Sequence, residues 1–238
     1  MKQKLRGLIN AGRSKEELSL LPFVNDRTSA APGRWTAKDH LAHLAAWRAF
    51  AAEEVVAVRT GTRPRPVSDD LDFENARIYE ETHGLPAGAI LQAGAESWRD
   101  LLAAVEASTE AELFREGVRR PAQRLWQVVQ VNSTTHLAGH LGFWYDEHGD
   151  RAAAERSAKW AYGLAIATFS DDPARGAAAY NLGCFYALRG EAGEAVRYLR
   201  QGIDLRPDLH DLAGHDTDLD LIRPSSEFQA LIRRPGAA

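Results

Sequence analysis

The run TAKDHLAHLAAWRAFAAEEVVAVRT, residues 36–60, decides the fold class of this 238-residue chain. It consists largely of good helix formers and contains neither proline nor glycine. Thr36, followed by Asp39 three residues later, predicts an N-terminal cap at its start. A shorter helix is expected near 72–83, and three further long helices over 2–21, 87–107 and 122–147. Because strand patterns are scarce, we predict an all-α protein whose residues 1–150 form a four-helix bundle.

Composition narrows the class of protein further. Hydrophobic residues make up 45% of the chain and charged residues 26%, with a net charge of −4. These values are typical of a folded protein and speak against a nucleic-acid or membrane-surface partner. The single cysteine, Cys184, excludes an internal disulfide, and the start MKQKLRGLINAG lacks the apolar core of a signal peptide. We therefore expect a cytoplasmic protein, and the abundance of arginine and alanine is typical of a GC-rich bacterial genome.

The sequence NSTTHLAGHLGFWYDEH, residues 132–148, carries the most informative polar pair. His136 and His140 are four residues apart, so a helix places both imidazoles on one face, where they offer one divalent metal two nitrogen ligands. His40 and His43 offer a third ligand from the 36–60 helix. The alternative is that these histidines are core residues held by hydrogen bonds. The stripe expected to carry the pair toward the bundle centre is Leu125, Val129, Asn132, His136, His140 and Phe143.

The composition changes in residues 174–207, where alanine, glycine and tyrosine recur at helical spacing: ARGAAAYNLGCFYALRGEAGEAVRYLRQGIDLRP. They resemble a tetratricopeptide (TPR) unit, a 34-residue helix-turn-helix repeat. Ala161 and Pro173 precede two of the matching positions by 34 residues, which predicts part of a preceding repeat. We therefore predict a TPR-like helical region over residues 151–238, capped by its tail, 208–234. The matching positions are Leu182, Gly183, Tyr186, Gly190, Ala195 and Pro207, whereas Ala179 and Gly202 depart from the pattern.

The two histidine motifs also resemble those of a known family. WTAKDHLAHLAAW, residues 35–47, and HLAGH, residues 136–140, resemble the helix-two and helix-four motifs of the DinB-like superfamily of metal-dependent four-helix bundles. The resemblance covers about residues 1–148. It implies that the three metal ligands are His43, His136 and His140, with His40 as the alternative to His43.

Two further stretches narrow this resemblance. Residues 73–86, FENARIYEETHGLP, and 96–113, ESWRDLLAAVEASTEAEL, are most similar to the subgroup that includes the colibactin self-protection proteins. That subgroup is related to cyclopropane-opening hydrolases and does not uniformly keep all three histidines. The complete set in this chain favours a metal site and weakens any transfer of the hydrolase mechanism.

Three histidine ligands leave coordination positions open, which is the pattern of a catalytic metal site. A metal ion with open coordination positions lowers the pKa of a bound water molecule or activates a thiolate, so hydrolysis and thiol transfer are both possible reactions. The resemblance implies zinc or nickel, a homodimer, and a low-molecular-weight thiol such as mycothiol as cosubstrate. We expect a transferase or hydrolase that acts on a small electrophilic metabolite, in detoxification or self-resistance. Cys184 falls within the repeat, so the chain itself does not supply the thiol.

Weaker candidates lie outside the histidine motifs. Asn75 and Tyr79 are candidate catalytic residues, and together with His83 they are spaced to line one wall of a pocket. The alternative is that Tyr79 packs, Asn75 acts as a cap and His83 is solvated. Glu53 and Glu54 are candidates for a general base or for the hydrogen-bond partner of a histidine N–H. The alternative is that both lie on a solvated face of the helix. Four tryptophans are candidates for the walls of an aromatic cavity, and the alternative is that they are core residues. They are Trp35, Trp47, Trp126 and Trp144.

A second class of function stays open at this point. The bundle can be a degenerate scaffold while the TPR-like region holds a partner peptide in its groove, as in a non-catalytic adaptor. An enzyme is expected to lose metal and activity in His136→Ala, whereas an adaptor is expected to lose its partner when the repeat is removed. The groove of so few repeats is small, which ranks the enzyme first.

Overall fold

The structure is a computed structural model that describes residues 1–26, 34–119 and 121–233. Within these ranges the chain forms twelve α-helices and no β-strand, which confirms the all-α prediction. It divides into two compact units, Met1–Ala154 and Glu155–Ala238. No helix in the described ranges combines the length and the apolar character that crossing a membrane requires.

Four long helical segments form the first unit, at the positions that the sequence predicts. Three are single helices: α1 at Lys2–Ser19, α2 at Ala37–Thr60 and α4 at Ala87–Ala107. The fourth consists of α6 at Leu125–Gln130, a π-helical turn at Val131–Thr135, and α7 at His136–Glu147. Two shorter helices lie in the connections, α3 at Leu71–Thr82 and α5 at Glu110–Leu113. α2 packs mainly against α4, and α1 contacts both α4 and the π-helical turn.

The start of α2 confirms the predicted cap. The Thr36 hydroxyl accepts a hydrogen bond from the Asp39 backbone N–H at 3.2 Å, and the Asp39 carboxylate accepts one from the Thr36 backbone N–H at 2.9 Å. This reciprocal capping box satisfies N–H groups that a helix start leaves unpaired. The helix ends at Gly61, whose φ of 70° lies in the left-handed region that glycine adopts without strain.

A buried ion pair ties α1, α2 and α4 together. The Arg48 guanidinium donates to both carboxylate oxygens of Glu16, at 2.7 and 3.1 Å, and to the Ser97 hydroxyl at 3.0 Å. The Trp98 indole donates to Glu16 at 2.9 Å, and its ring lies 4.0 Å from the guanidinium carbon. The residues around Ser14 are typical of a helix start, but α1 runs through them unbroken, and Glu17, which would complete a capping box with Ser14, pairs with Arg13 at 2.8 Å instead.

The π-helical turn lies directly before His136, where the sequence predicts one regular helix over 122–147. Asn132, Ser133 and Thr134 each donate to the backbone carbonyl four residues earlier, at 2.9, 2.7 and 3.0 Å. A wider turn weakens the regular pairing of these carbonyls, and the polar side chains replace it. Three consecutive short polar residues therefore stabilise the turn.

The extra residue of the π-helical turn rotates the upstream part of the helix. Leu125 and Val129, which the predicted stripe placed on the histidine face, are fully buried in the core. Val128 and Val131 line the cavity beside the histidines instead, together with Asn132, which belongs to the predicted stripe. Upstream of the turn the stripe therefore faces the bundle core, as predicted, but does not line the cavity with the histidines, because the prediction assumed a constant 3.6 residues per turn.

The second unit is also helical. It contains most of α8, at Arg151–Thr168, and the whole of α9 at Asp172–Ala187, α10 at Ala192–Leu205, α11 at Leu209–Ala213 and α12 at Ser226–Ile232. α9 and α10 form a hairpin that glycines hold close: a Cβ at Gly183 would lie 2.8 Å from the Leu199 side chain, and one at Gly202 would lie 3.0 Å from the Tyr180 backbone nitrogen.

The hydrophobic core of this unit includes residues from Leu209 to Leu231, so the predicted tail packs onto the hairpin. Residues 234–238 of the predicted region lie outside the described residues. Cys184 is buried in the same core, and loss of solvation raises the pKa of its thiol. A buried thiol with a raised pKa is a poor nucleophile.

Candidate metal centre

Three imidazoles from two helices meet in the first unit. α2 contributes His43, and α7 contributes His136 and His140, which stack one turn apart as their spacing predicts. The Nε2 atom of His136 lies 3.1 Å from Nε2 of His43 and 3.0 Å from Nε2 of His140. These three residues form the histidine cluster, in which one nitrogen of each lies within 4.8 Å of the other two. The structure thus brings together the residues that the resemblance implied as ligands.

The placement of one nitrogen between two others fits a metal ion better than a hydrogen-bonded cluster. Ligand nitrogens at the usual distance from a tetrahedral zinc ion lie about 3.3 Å apart. The Nε2 atom of His136 carries either one proton or one lone pair, so it cannot form a good hydrogen bond with both neighbours at once. A cation that accepts all three lone pairs removes this conflict.

Loss of solvation keeps these imidazoles neutral at pH 7, the form that binds a metal. It lowers the pKa of His43 to about 3, with the nearby His136 as a smaller cause. It also lowers the pKa of His136 to about 4, with a smaller effect of the Arg48 charge, and holds the pKa of His140 well below its usual value. Metal binding at neutral pH therefore requires no loss of a proton from the cluster.

His40, the alternative third ligand, lies on the other side of His140. Its Nδ1 atom is 2.8 Å from Nδ1 of His140, the nitrogen that faces away from the histidine cluster. Loss of solvation lowers the pKa of His40 to about 4, so this ring is also neutral at pH 7. A spacing of three residues rotates His40 about 60° from His43 around the helix axis. The third nitrogen of the cluster therefore comes from His43.

A cavity of about 670 Å³ opens beside the histidine cluster. This volume is typical of small-molecule sites. All three histidines form part of its wall. Of the tryptophans predicted as cavity walls, Trp35 and Trp47 line it, whereas Trp126 and Trp144 are buried in the core. The wall also includes two phenylalanines and a set of polar residues: Phe50, Phe143, Ser68, Asp69, Asn75, Gln123 and Asn132.

Trp35 covers part of the histidine cluster. Its ring centroid lies 5.0 Å from that of His43 and 5.8 Å from that of His140, and its plane is within 18° of the His140 plane. Trp35 immediately precedes Thr36, so the capping box of α2 fixes its backbone next to the histidines. The indole therefore provides an apolar wall of the cavity beside the histidine cluster.

The candidate residues of α3 have different surroundings. Asn75 lines the cavity and accepts a hydrogen bond from the Trp47 indole at 3.2 Å. Tyr79 is not part of the lining but stacks on Trp35 and on His83, and loss of solvation raises the pKa of its hydroxyl. The His83 ring is largely exposed, and its Nδ1 lies 3.1 Å from the Asp39 carboxylate. The catalytic roles of Asn75 and Tyr79 stay predictions.

Glu54 does not lie on the solvated face expected for Glu53 and Glu54. Its carboxylate is buried and lines the cavity. One oxygen accepts hydrogen bonds from the backbone N–H groups of Val118 and Arg119, and the other accepts one from the Arg119 guanidinium at 3.1 Å. A proton taken up by Glu54 would disrupt these charge-assisted bonds, so Glu54 is poorly suited to act as a general base. Glu53 is more exposed and pairs with Arg119 at 2.8 Å.

Sequence reasoning missed Arg119, which also lines the cavity. Its Nη1 donates to the Phe50 carbonyl and to Glu54, its Nη2 to Glu53 and the Arg65 carbonyl, and its Nε to the same Arg65 carbonyl. All five N–H donors of the guanidinium are thus engaged. Arg119 lies in the irregular stretch between α5 and α6, where no periodicity in the sequence marks an inward-facing residue.

The fold and the histidine cluster together define the class of protein: a helical bundle with a candidate divalent-metal centre beside a small-molecule cavity. A family model of the DinB superfamily matches residues 12–143, which is more than half of the chain and contains all three histidines. The chain belongs to the DinB superfamily, which is metal-associated. No curated protein and no solved structure matches the chain.

Proposed function

We propose that this protein is a divalent-metal-dependent enzyme that transfers a low-molecular-weight thiol to a small electrophilic metabolite. His43, His136 and His140 would hold the metal, which we propose to be zinc or nickel. The observation that carries the proposal is the convergence of three neutral imidazole nitrogens in the wall of a cavity. A three-histidine ligand set leaves coordination positions for a substrate, and the cavity supplies the space for one.

The aromatic part of the cavity lining suits an apolar group of the electrophile. Trp35, Trp47 and Phe50 present aromatic surface, and apolar area buried against it contributes about 25 cal/mol per Å². The charges of Arg119 and Glu54 are engaged with each other and with the backbone. Neither charge is therefore directed at a ligand in the cavity.

The surroundings of the buried carboxylate favour thiol transfer over hydrolysis. Hydrolysis gains from a general base next to the attacking water, and both oxygens of Glu54 are already engaged. A thiol ionises near pH 8–9 in its free form, about seven pH units more easily than water. A bound divalent ion would supply a Lewis acid that promotes this ionisation. Because Cys184 is buried in the second unit, we propose mycothiol or a similar small thiol as cosubstrate.

The finer family assignments are also part of this proposal. The residues of 73–86 and 96–113 support a relation to the subgroup with the colibactin self-protection proteins, and hence a role in detoxification or self-resistance. The close approach of α9 and α10 at Gly183 and Gly202 supports a TPR-like unit. We further propose that the protein acts as a homodimer in the cytoplasm.

A thiol-transfer assay on zinc-loaded and nickel-loaded protein tests the reaction. We expect mycothiol and a neutral electrophile, drawn from epoxides, activated aryl halides and strained cyclopropanes, to give a thioether detected by mass spectrometry. Product formation should be lost in His136→Ala and kept in His215→Ala, a matched change at an exposed histidine of the second unit. A product formed by addition of water to the electrophile, at the same rate with and without thiol, would identify a hydrolase. If no metal-loaded sample forms any product, the enzymatic proposal is wrong and the adaptor function takes its place.

A further inference from the structure

A ligating histidine has a second ring nitrogen, and His140 directs this nitrogen at His40. The two Nδ1 atoms lie 2.8 Å apart, well within hydrogen-bond distance. We propose that His40 is a positioning residue of the metal centre, which accepts a hydrogen bond from the Nδ1–H of His140 and so fixes the orientation and the tautomer of that ligand. The inference rests on the proposed metal centre.

The position of the protons follows from the geometry. The Nε2 atom of His140 points at Nε2 of His136, 3.0 Å away, so it is the nitrogen that offers its lone pair to the ion. A neutral imidazole carries one proton on its two nitrogens, so the proton of His140 is on Nδ1. Nδ1 of His40 then accepts this hydrogen bond with its lone pair, so the proton of His40 is on Nε2, a buried atom without a hydrogen-bond partner among the described residues.

The surroundings of His40 hold its ring in this orientation. Its backbone N–H donates to the Thr36 carbonyl at 3.1 Å, in the first turn of α2 after the capping box. Its ring meets Trp35 and Trp144 edge-on, with centroid distances of 5.5 and 6.1 Å, and only 3% of the residue is exposed. A partner fixed in this way limits the rotation of the His140 ring.

The chemical nature of this partner affects the reactivity of the ion. Ligating histidines usually donate to a carboxylate, a backbone carbonyl or water, and a carboxylate makes the ligand more basic. His40 is a neutral acceptor, so it orients His140 without adding negative charge to the ligand set. The ion would keep more of its Lewis acidity, which suits the activation of a thiol.

The affinity for Zn²⁺, measured in competition with a coloured chelator, tests this role in the full-length protein. His40→Leu removes the acceptor at similar volume, and we expect it to weaken binding about 10-fold to 100-fold. His40→Asn keeps an oxygen acceptor close to the position of Nδ1, so it should restore the affinity to within about threefold of the wild type. His215→Leu is the matched control, because His215 is an exposed histidine of the second unit, and its affinity should be unchanged. Circular dichroism and melting temperature show whether each variant is folded.

A second measurement needs no variant. In zinc-loaded protein with ¹⁵N-labelled histidine, long-range proton–nitrogen spectra should show the His140 proton on Nδ1 and none on Nε2. A proton on Nε2 would overturn the inference, as would an unchanged affinity in His40→Leu or an equal loss in His40→Leu and His40→Asn. If the wild type binds zinc while His40→Leu binds it equally well, this inference alone fails. If the wild type binds no zinc, the metal centre fails with it.

Discussion

Gly12 of α1 packs against the π-helical turn, and this contact allows a quantitative prediction. A Cβ at position 12 would lie 2.0 Å from the Ser133 carbonyl oxygen and 2.9 Å from the Trp98 ring. A backbone oxygen cannot move aside unless the turn that leads into His136 also moves. Such overpacking costs roughly 1–3 kcal/mol or more, and the better helix propensity of alanine offsets about 1 kcal/mol of it. We therefore expect Gly12→Ala to lower the free energy of unfolding by up to about 2 kcal/mol and to weaken zinc binding.

Gly7→Ala is the matched control, since it makes the same change in the same helix. A Cβ at position 7 meets no atom within 4 Å, so this variant should be more stable than the wild type by up to about 1 kcal/mol. Urea unfolding followed by tryptophan fluorescence is the suitable assay, because Trp160 is the single tryptophan outside the first unit. If Gly12→Ala is as stable as Gly7→Ala, the close contact between α1 and the turn does not exist.

Acid should destabilise the metal-free protein, because His40, His43 and His136 have pKa values of about 3 to 4 when folded and about 6.5 when unfolded. The unfolded chain then binds more protons, so stability is lost as the pH falls from about 6.5 to about 4, by on the order of 1 kcal/mol per pH unit for each histidine. Glu16→Leu should cost about 3–5 kcal/mol because it leaves the buried Arg48 charge without its partner, and adding Arg48→Met should recover most of that loss. In the second unit, Gly183→Ala should lower the melting temperature because its Cβ would lie 2.8 Å from the Leu199 side chain.

Each of these expectations has a result that contradicts it. The predicted acid sensitivity would be contradicted if urea unfolding gives the metal-free protein a constant free energy of unfolding between pH 6.5 and about 4.5. The prediction for the buried ion pair would be contradicted in the same assay if Glu16→Leu is as stable as the wild type. It would also be contradicted if Glu16→Leu with Arg48→Met is no more stable than Glu16→Leu alone. The control for the third is Gly193→Ala, where the Cβ meets open space. Equal melting temperatures for the two glycine variants would mean that α9 and α10 do not approach closely.

The parts of the fold that local sequence determines could be predicted from it. The capping box of Thr36 and Asp39 depends on residues three apart, and the stacking of His136 and His140 on residues four apart, so both follow from helix geometry alone. The choice between His40 and His43 is different, because it depends on how α2 is rotated relative to α7. Sequence spacing left this choice open, and the family resemblance favoured His43, which the structure places in the histidine cluster.

Other features depend on contacts between residues far apart in the chain. Glu54 is buried because Arg119 and its backbone neighbours, 65 residues later, donate to it, and a charged residue on a long helix otherwise predicts solvent exposure. The π-helical turn has a local signal in the polar run Asn132–Thr135. Such a run also occurs in regular helices and at helix ends, so only the observed hydrogen bonds distinguish the wider turn.

The metal content per chain tests the central claim most directly. We would measure it by inductively coupled plasma mass spectrometry on wild type, His136→Ala and His83→Ala, purified without a metal-binding affinity tag. We predict about one zinc or nickel ion per chain in the wild type and in His83→Ala, and essentially none in His136→Ala. A wild-type protein that holds neither ion, even after reconstitution, would contradict the metal centre and reduce the histidine cluster to core residues.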